Sequence, residues 1–156
     1  MKLTRVSANN RRRAFEVRAR TREFIFPYSV CDPGPTRGNR VEEVWVDKEL
    51  GREGFSYRLE SGGEGTVHID YVLEYNKDPD YMGDLLLYKL TVEAQRRVKK
   101  SPLSTREIIR RLGTSATQFY RLLDQTNYRK SLKQVLALLS ILDCDVDLVI
   151  KERRSA

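Results

Sequence analysis

The sequence predicts an α+β chain, with a small antiparallel β-sheet domain followed by a helical domain of four to five helices. Two observations carry that prediction: apolar residues alternate singly through the first half, and they recur at three- and four-residue intervals through the second. A third is the run of capping serines that punctuates the helical half. Ala14 to Tyr28 contains the alternation Phe15, Val17, Ala19, and Val41 to Asp47 carries Val44, Trp45 and Val46. Phe55 to Glu60 alternates Phe55, Tyr57, Leu59, and Thr66 to Val72 alternates Val67, Ile69, Tyr71, so each reads as a half-buried strand. Ser61-Gly62-Gly63-Glu64-Gly65 joins the last two as a hairpin turn, because glycines accept positive φ without steric cost. No Gly-Lys-Ser/Thr follows it, which excludes a phosphate-binding loop. Asp32 to Asn39 is a loop rich in proline and glycine. Asn76-Lys77-Asp78-Pro79-Asp80 marks the passage to the helices, dividing the chain into a sheet domain, 1–76, and a helical domain, 77–156.

Leu87, Leu90, Ala94 and Val98 share one face of a helix predicted from about Tyr81 to Lys99, and Pro102 keeps it from running on. Ser104, Ser115 and Ser131 are each followed three residues later by Glu107, Gln118 and Gln134, the spacing of a capping box. Each serine therefore opens a helix. Ile108, Ile109 and Leu112 line the first, Phe119, Leu122 and Leu123 the second, and Leu132, Val135, Leu136, Leu139 and Leu142 the third. Leu103, just before the first cap, is placed to pack on Ile108 as a hydrophobic staple. Gly113 suits the left-handed residue that ends a helix and turns the chain. A short helix, a tight turn and a second short helix make a helix-turn-helix.

From Leu103 to Leu123 the chain resembles the Xre, or Cro-like phage-repressor, family of helix-turn-helix regulators, and its antitoxin-like members in particular. The glycine at 113, the caps Ser104 and Ser115 and the apolar positions between them carry the likeness. It spans about Tyr81 to Lys151, and it implies that Asp145-Val146-Asp147-Leu148-Val149-Ile150 forms the strand that many antitoxin-like members carry after their last helix. Ile109 departs from the family's usual small alanine, and Tyr120 is larger than usual for an exposed position. The expected architecture is thus a sheet domain followed by a Cro-like helix-turn-helix domain with a C-terminal strand.

The resemblance implies that a recognition helix, about 116–124, lies in the major groove of double-stranded DNA. Base contact then falls to Ala116, Thr117 and Arg121: a guanidinium pairs with O6 and N7 of guanine, Thr117 offers a hydroxyl or a methyl, and Ala116 a contact to a thymine methyl. Phosphate contact falls to Thr105 and Arg106, to Ser115, and to Asn127, Tyr128, Arg129, Lys130 and Ser131 around the start of the last helix. Charge agrees with this division. Arg96 to Lys130 holds ten basic residues against Glu107 and Asp124, whereas Arg40 to Leu90 holds six basic against twelve acidic. A basic helical end replaces counterions on a phosphate backbone, and an acidic middle is repelled by it. Alternatives stand beside these assignments. Gln118 serves as a cap or as a base contact, Arg110 and Arg111 form a solvated surface or part of the interface, and Arg121 reads bases or pairs with Asp124 or Asp143. Met1 to Arg22 has eight basic residues against Glu16 alone, so Arg11-Arg12-Arg13 reads as an arm gripping phosphate or as a solvated tail.

An enzyme is not expected. The one histidine, His68, lies two residues from Asp70 on a predicted strand, with no nucleophile or cofactor motif beside it. Cys31 and Cys144 are far apart and form neither a zinc motif nor a disulfide framework, so no metal or cofactor is expected. No apolar run reaches the length of a membrane span or of a signal-peptide core, which points to the cytoplasm. The expected function is a sequence-specific DNA-binding transcriptional regulator, antitoxin-like and autoregulatory, acting as a homodimer. The acidic sheet domain is a candidate surface for a basic protein partner. The alternatives are an adaptor that uses its helices as a protein-binding scaffold, or an RNA-binding protein.

Overall fold

The computed structural model describes residues 1–154 and divides into two compact units, Met1–Met82 and Gly83–Ala156. The division falls six residues beyond the expected boundary after residue 76, inside a long helix. The chain is mixed α+β, as expected, with two antiparallel three-stranded sheets and five α-helices among the described residues.

In the first unit β1 (Leu3–Asn9), β2 (Ala14–Ala19) and β3 (Arg22–Pro27) form one sheet, and β4 (Val41–Val46), β5 (Gly54–Leu59) and β6 (Glu64–His68) form the other. The stretch that reads as a basic arm or tail is instead β1 and its hairpin with β2. Leu3 is fully buried and its N–H donates to the Arg52 carbonyl at 2.8 Å, so residues around the arginine triplet are a turn between paired strands. The single alternation from Ala14 to Tyr28 is two strands, folded back at Arg20 with Ala19 facing Arg22. The inner faces of the two sheets share one aromatic core. Phe15 lies 4.9 Å from Phe55 and 5.0 Å from Tyr57, centroid to centroid. Gly65 is required by this packing: a Cβ there would overlap the Tyr57 ring.

The run from Thr66 to Val72 also differs from expectation, for β6 stops at His68 and α1 (Ile69–Tyr75) follows. Ile69, Val72 and Leu73 have the i, i+3, i+4 spacing of a helix face and are all buried, a period hidden behind the shorter alternation of Val67, Ile69 and Tyr71. His68 is the cap of that helix. Its Nδ1 accepts from the Asp70 N–H at 3.3 Å, so the His–Asp pair is a helix start rather than two groups on one strand face. Asp78 begins the long helix α2 (Pro79–Lys100) by accepting from the Tyr81 N–H at 3.1 Å, and its other oxygen pairs with Arg22. Burial alone would raise the Asp78 carboxyl, but these hydrogen bonds and the guanidinium outweigh it and hold the acid below its usual range.

The second unit contains the greater part of α2 with α3 (Thr105–Leu112), α4 (Ala116–Leu123) and α5 (Leu132–Ile141). Ala94, Ile108, Phe119, Leu122, Val135, Leu138 and Leu139 form its buried core, and Leu103 packs against it from ahead of the first cap. The buried stripe of α5 is turned from the expected one. Val135, Leu138 and Leu139 face inward, while Leu132 and Leu136 are exposed. Residues 145–150 carry no regular secondary structure, in contrast to the terminal strand that the family resemblance implies. A strand needs a hydrogen-bonding neighbour, and the helices of this unit offer no sheet edge. Leu148, Val149 and Ile150 are consequently 76%, 73% and 85% exposed.

Candidate nucleic-acid interface

Local chemistry alone sets the shape of the α3–α4 turn. Ser104 Oγ accepts from the Glu107 N–H at 3.2 Å and Ser115 Oγ from the Gln118 N–H at 3.2 Å, so each serine satisfies one orphan donor of the turn it opens. Only this half of each capping box forms. Glu107, instead of reaching back, accepts from Arg110 and Arg111 on the next turn, which holds its carboxyl down at about 2. Between the helices Gly113 takes φ +70°, its N–H bonded to Arg110 O and the next N–H, of Thr114, to Ile109 O. That pattern is a Schellman motif, and its left-handed residue turns the chain by backbone geometry.

The turn orients α4 so that Phe119 and Leu122 enter the core while Ala116, Thr117, Gln118 and Arg121 face solvent. Arg121 makes no ion pair with Asp124 or Asp143 or with any other carboxylate among the described residues. Asp124 is engaged elsewhere, accepting from the N–H and hydroxyl of Thr126. Tyr120 is 60% exposed and lies edge-on to Phe119 at 5.3 Å. Ile109, in place of a small residue, is half-buried against the core.

The far end of α4 is held in a way the sequence did not disclose. Lys130 Nζ donates to Leu122 O at 2.9 Å, to Asp124 O at 2.5 Å and to the buried Thr91 hydroxyl at 2.9 Å. Gln95 Nε2 donates to Leu123 O at 2.6 Å, and Asn127 Nδ2 to Arg121 O at 3.3 Å. Four carbonyls at the C-terminus of α4, from Arg121 to Asp124, are thus closed by side chains from α2 and from the following loop, with a cation at the negative end of the helix dipole. Partial burial lowers the Lys130 pKa, opposed by the Asp124 charge. All three of its donors are in use, and a phosphate would have to displace one of them. Lys130 is therefore an internal clasp, in contrast to its expected role. Asn127 is likewise engaged at both ends, its Oδ1 accepting from the Arg129 N–H at 3.1 Å.

The other expected phosphate contacts remain at the surface. Thr105 and Arg106 are exposed at the start of α3, Ser115 at the start of α4, and Tyr128, Arg129 and Ser131 around the start of α5. Arg121, Arg129 and Ser131 border one open depression of about 570 Å³ that runs from α4 to the N-terminus of α5. The N-terminal ends of three helices, with Arg106, Arg121 and Arg129, which have no ion pair among the described residues, thereby belong to one unit. Its charge is as uneven as its shape. Gly83–Ala156 holds 15 basic and eight acidic residues, whereas Met1–Met82 holds 14 of each, so the chain's whole net charge of +7 resides in the helical unit.

No family model matches this chain, and neither a curated protein nor a solved structure does. Among the described residues no cluster of His, Cys, Asp and Glu has the makings of a metal site, and no helix is long and apolar enough to cross a membrane.

Proposed function

We propose that the helical unit is a Cro-like helix-turn-helix that binds double-stranded DNA sequence-specifically, as a transcriptional regulator of the Xre type. The supporting observation is the outward edge of α4. Ala116, Thr117 and Arg121 present a methyl, a hydroxyl and an unpaired guanidinium to solvent on a helix whose other face is buried and whose far end is clasped. These groups suit the edges of base pairs in a major groove. Thr105, Arg106, Ser115, Tyr128, Arg129 and Ser131 supply phosphate contacts around it, with the helix N-termini at Ser104, Ser115 and Ser131 adding backbone donors. The net positive charge of this unit favours the same ligand.

The regulator acts as a homodimer. Exposed Leu132 and Leu136, together with exposed Val146, Leu148, Val149 and Ile150, give a second copy a surface to cover and a chain segment to pair with. Antitoxin-like autoregulation belongs to the same reading, with the first unit as the partner-binding part. The deciding experiment is selection of bound sequences from a random duplex pool. An enriched palindrome with half-sites about one helical turn, roughly 34 Å, apart is expected. A pool that emerges unenriched, while the protein still retains duplex at low salt, overturns sequence reading.

A further inference from the structure

The first unit has equal numbers of basic and acidic residues, yet they are unevenly matched. Four of its arginines, Arg12, Arg18, Arg22 and Arg58, are paired with carboxylates. A cleft on the outer face of the first sheet is balanced in the same way, with Glu16 and Glu23 beside Arg5, Arg12 and Arg18. A second cleft, of about 280 Å³, is not balanced. It is lined by Asn10 and Arg13 from the β1–β2 turn, Tyr28 after β3, and Thr36, Arg37 and Arg40 from the loop before β4. No carboxylate is among its lining residues, and none of the three arginines has an ion pair among the described residues.

Both walls of this cleft are braced. Tyr28 is 4% exposed, its N–H donates to Arg13 O at 2.9 Å and its hydroxyl to Asn10 Oδ1 at 3.0 Å. The opposite loop is closed by bonds between Thr36 and Asn39 in both directions, and Asn39 exchanges side-chain bonds with Ser61. The carboxylate of Glu60 is engaged by the backbone N–H of Arg40 at 3.2 Å, and the Arg40 Nε donates to Arg37 O at 3.4 Å. Three arginines lining one concavity without a carboxylate give it an excess of positive charge that an anion would offset. Their planar forks match tetrahedral oxyanions two oxygens at a time. A duplex backbone, by contrast, is tracked by cations set along a row, not gathered at one hollow.

We propose that the Arg13, Arg37 and Arg40 cleft binds a small phosphate-bearing ligand, a phosphate monoester or pyrophosphate group on a small molecule. The assignment is independent of DNA binding by α4, and it gives the first unit a ligand of its own.

Calorimetric titration of the whole protein with pyrophosphate, and separately with inorganic phosphate, at low ionic strength tests it. Saturable binding of one anion per chain is expected, weakened about tenfold or more in Arg37→Ala/Arg40→Ala. Arg13→Ala, on the opposite wall, gives a second variant that must show the same direction of change. A control with the same charge loss elsewhere, Arg11→Ala/Arg20→Ala, is expected to stay within about twofold. Absence of saturable binding, or equal losses in the double variant and the control, overturns the site. Duplex titration of Arg37→Ala/Arg40→Ala separates the two sources of phosphate: unchanged duplex affinity is expected, and a fall in it overturns the assignment to a small molecule.

Discussion

Arg121 and Lys130 are both cations in the helix-turn-helix region, but only one of them is available to a ligand. Arg121 is exposed and has no ion pair among the described residues, and Lys130 has given its donors to carbonyls at the end of α4 and to Thr91. Nothing in their sequence neighbourhoods separates the two, because the clasp depends on Thr91, nearly forty residues upstream. The consequences of replacement therefore differ in kind. Arg121→Ala is expected to leave stability unchanged, to cost about 1 to 3 kcal/mol at a selected site and to relax discrimination there. Equal losses on selected and random duplex would remove Arg121 from base reading. Lys130→Met is expected to lower unfolding stability by about 2 kcal/mol, since it strips a charged donor from three acceptors, two of them at a helix end. Urea denaturation checks this. A variant as stable as the parent, but with weakened DNA binding, would return Lys130 to the phosphate contacts.

At the scale of elements, what could be read ahead depended on how local the cause was. Ser104, Gly113, Ser115 and Ser131 act within four or five residues of themselves, and the helix starts and the turn they imply are where they were expected. β1 and α1 were missed because their causes lie elsewhere. β1 is polar on most of its surface and owes its pairing to β2 and its anchor to buried Leu3, while α1 shares its first residues with an alternation that also fits a strand. The rotation of the α5 stripe has a similar origin. Leucine occupies both Leu136 and Leu138, so hydropathy could not tell which of them the core would take. Gly113 offers the sharpest test of a local cause. Gly113→Ala meets no neighbour within 4 Å, so its penalty comes from the positive φ alone, and about 1 kcal/mol of stability is expected to be lost. Loss of DNA binding well beyond that of the folded fraction would show that the turn also sets the angle of α4.

Over the whole molecule, charge was foreseen in its direction but not in its sharpness. The counts along the chain pointed to a basic helical end, whereas the boundary at Met82 leaves the first unit neutral and the second at +7. The arginine cleft of the first unit is not legible in the sequence, for the same reason as the Lys130 clasp: Arg13 and Arg40 are brought together by the fold, not by spacing. This division makes salt dependence a test of where DNA is held. Each phosphate neutralised on a duplex lowers the slope of log affinity against log salt by about 0.9. Arg106→Ala and Arg129→Ala, both exposed and without an ion pair among the described residues, are each expected to flatten that slope by about one unit while the selected sequence stays the same. Arg18→Ala, paired with Glu23 in the neutral unit, is expected to leave it unchanged. Polarisation titrations at four or five salt concentrations resolve such a difference. A slope that responds to Arg18 as strongly as to Arg129 would mean that both units lie on the duplex, and the helical unit would then no longer account for binding by itself.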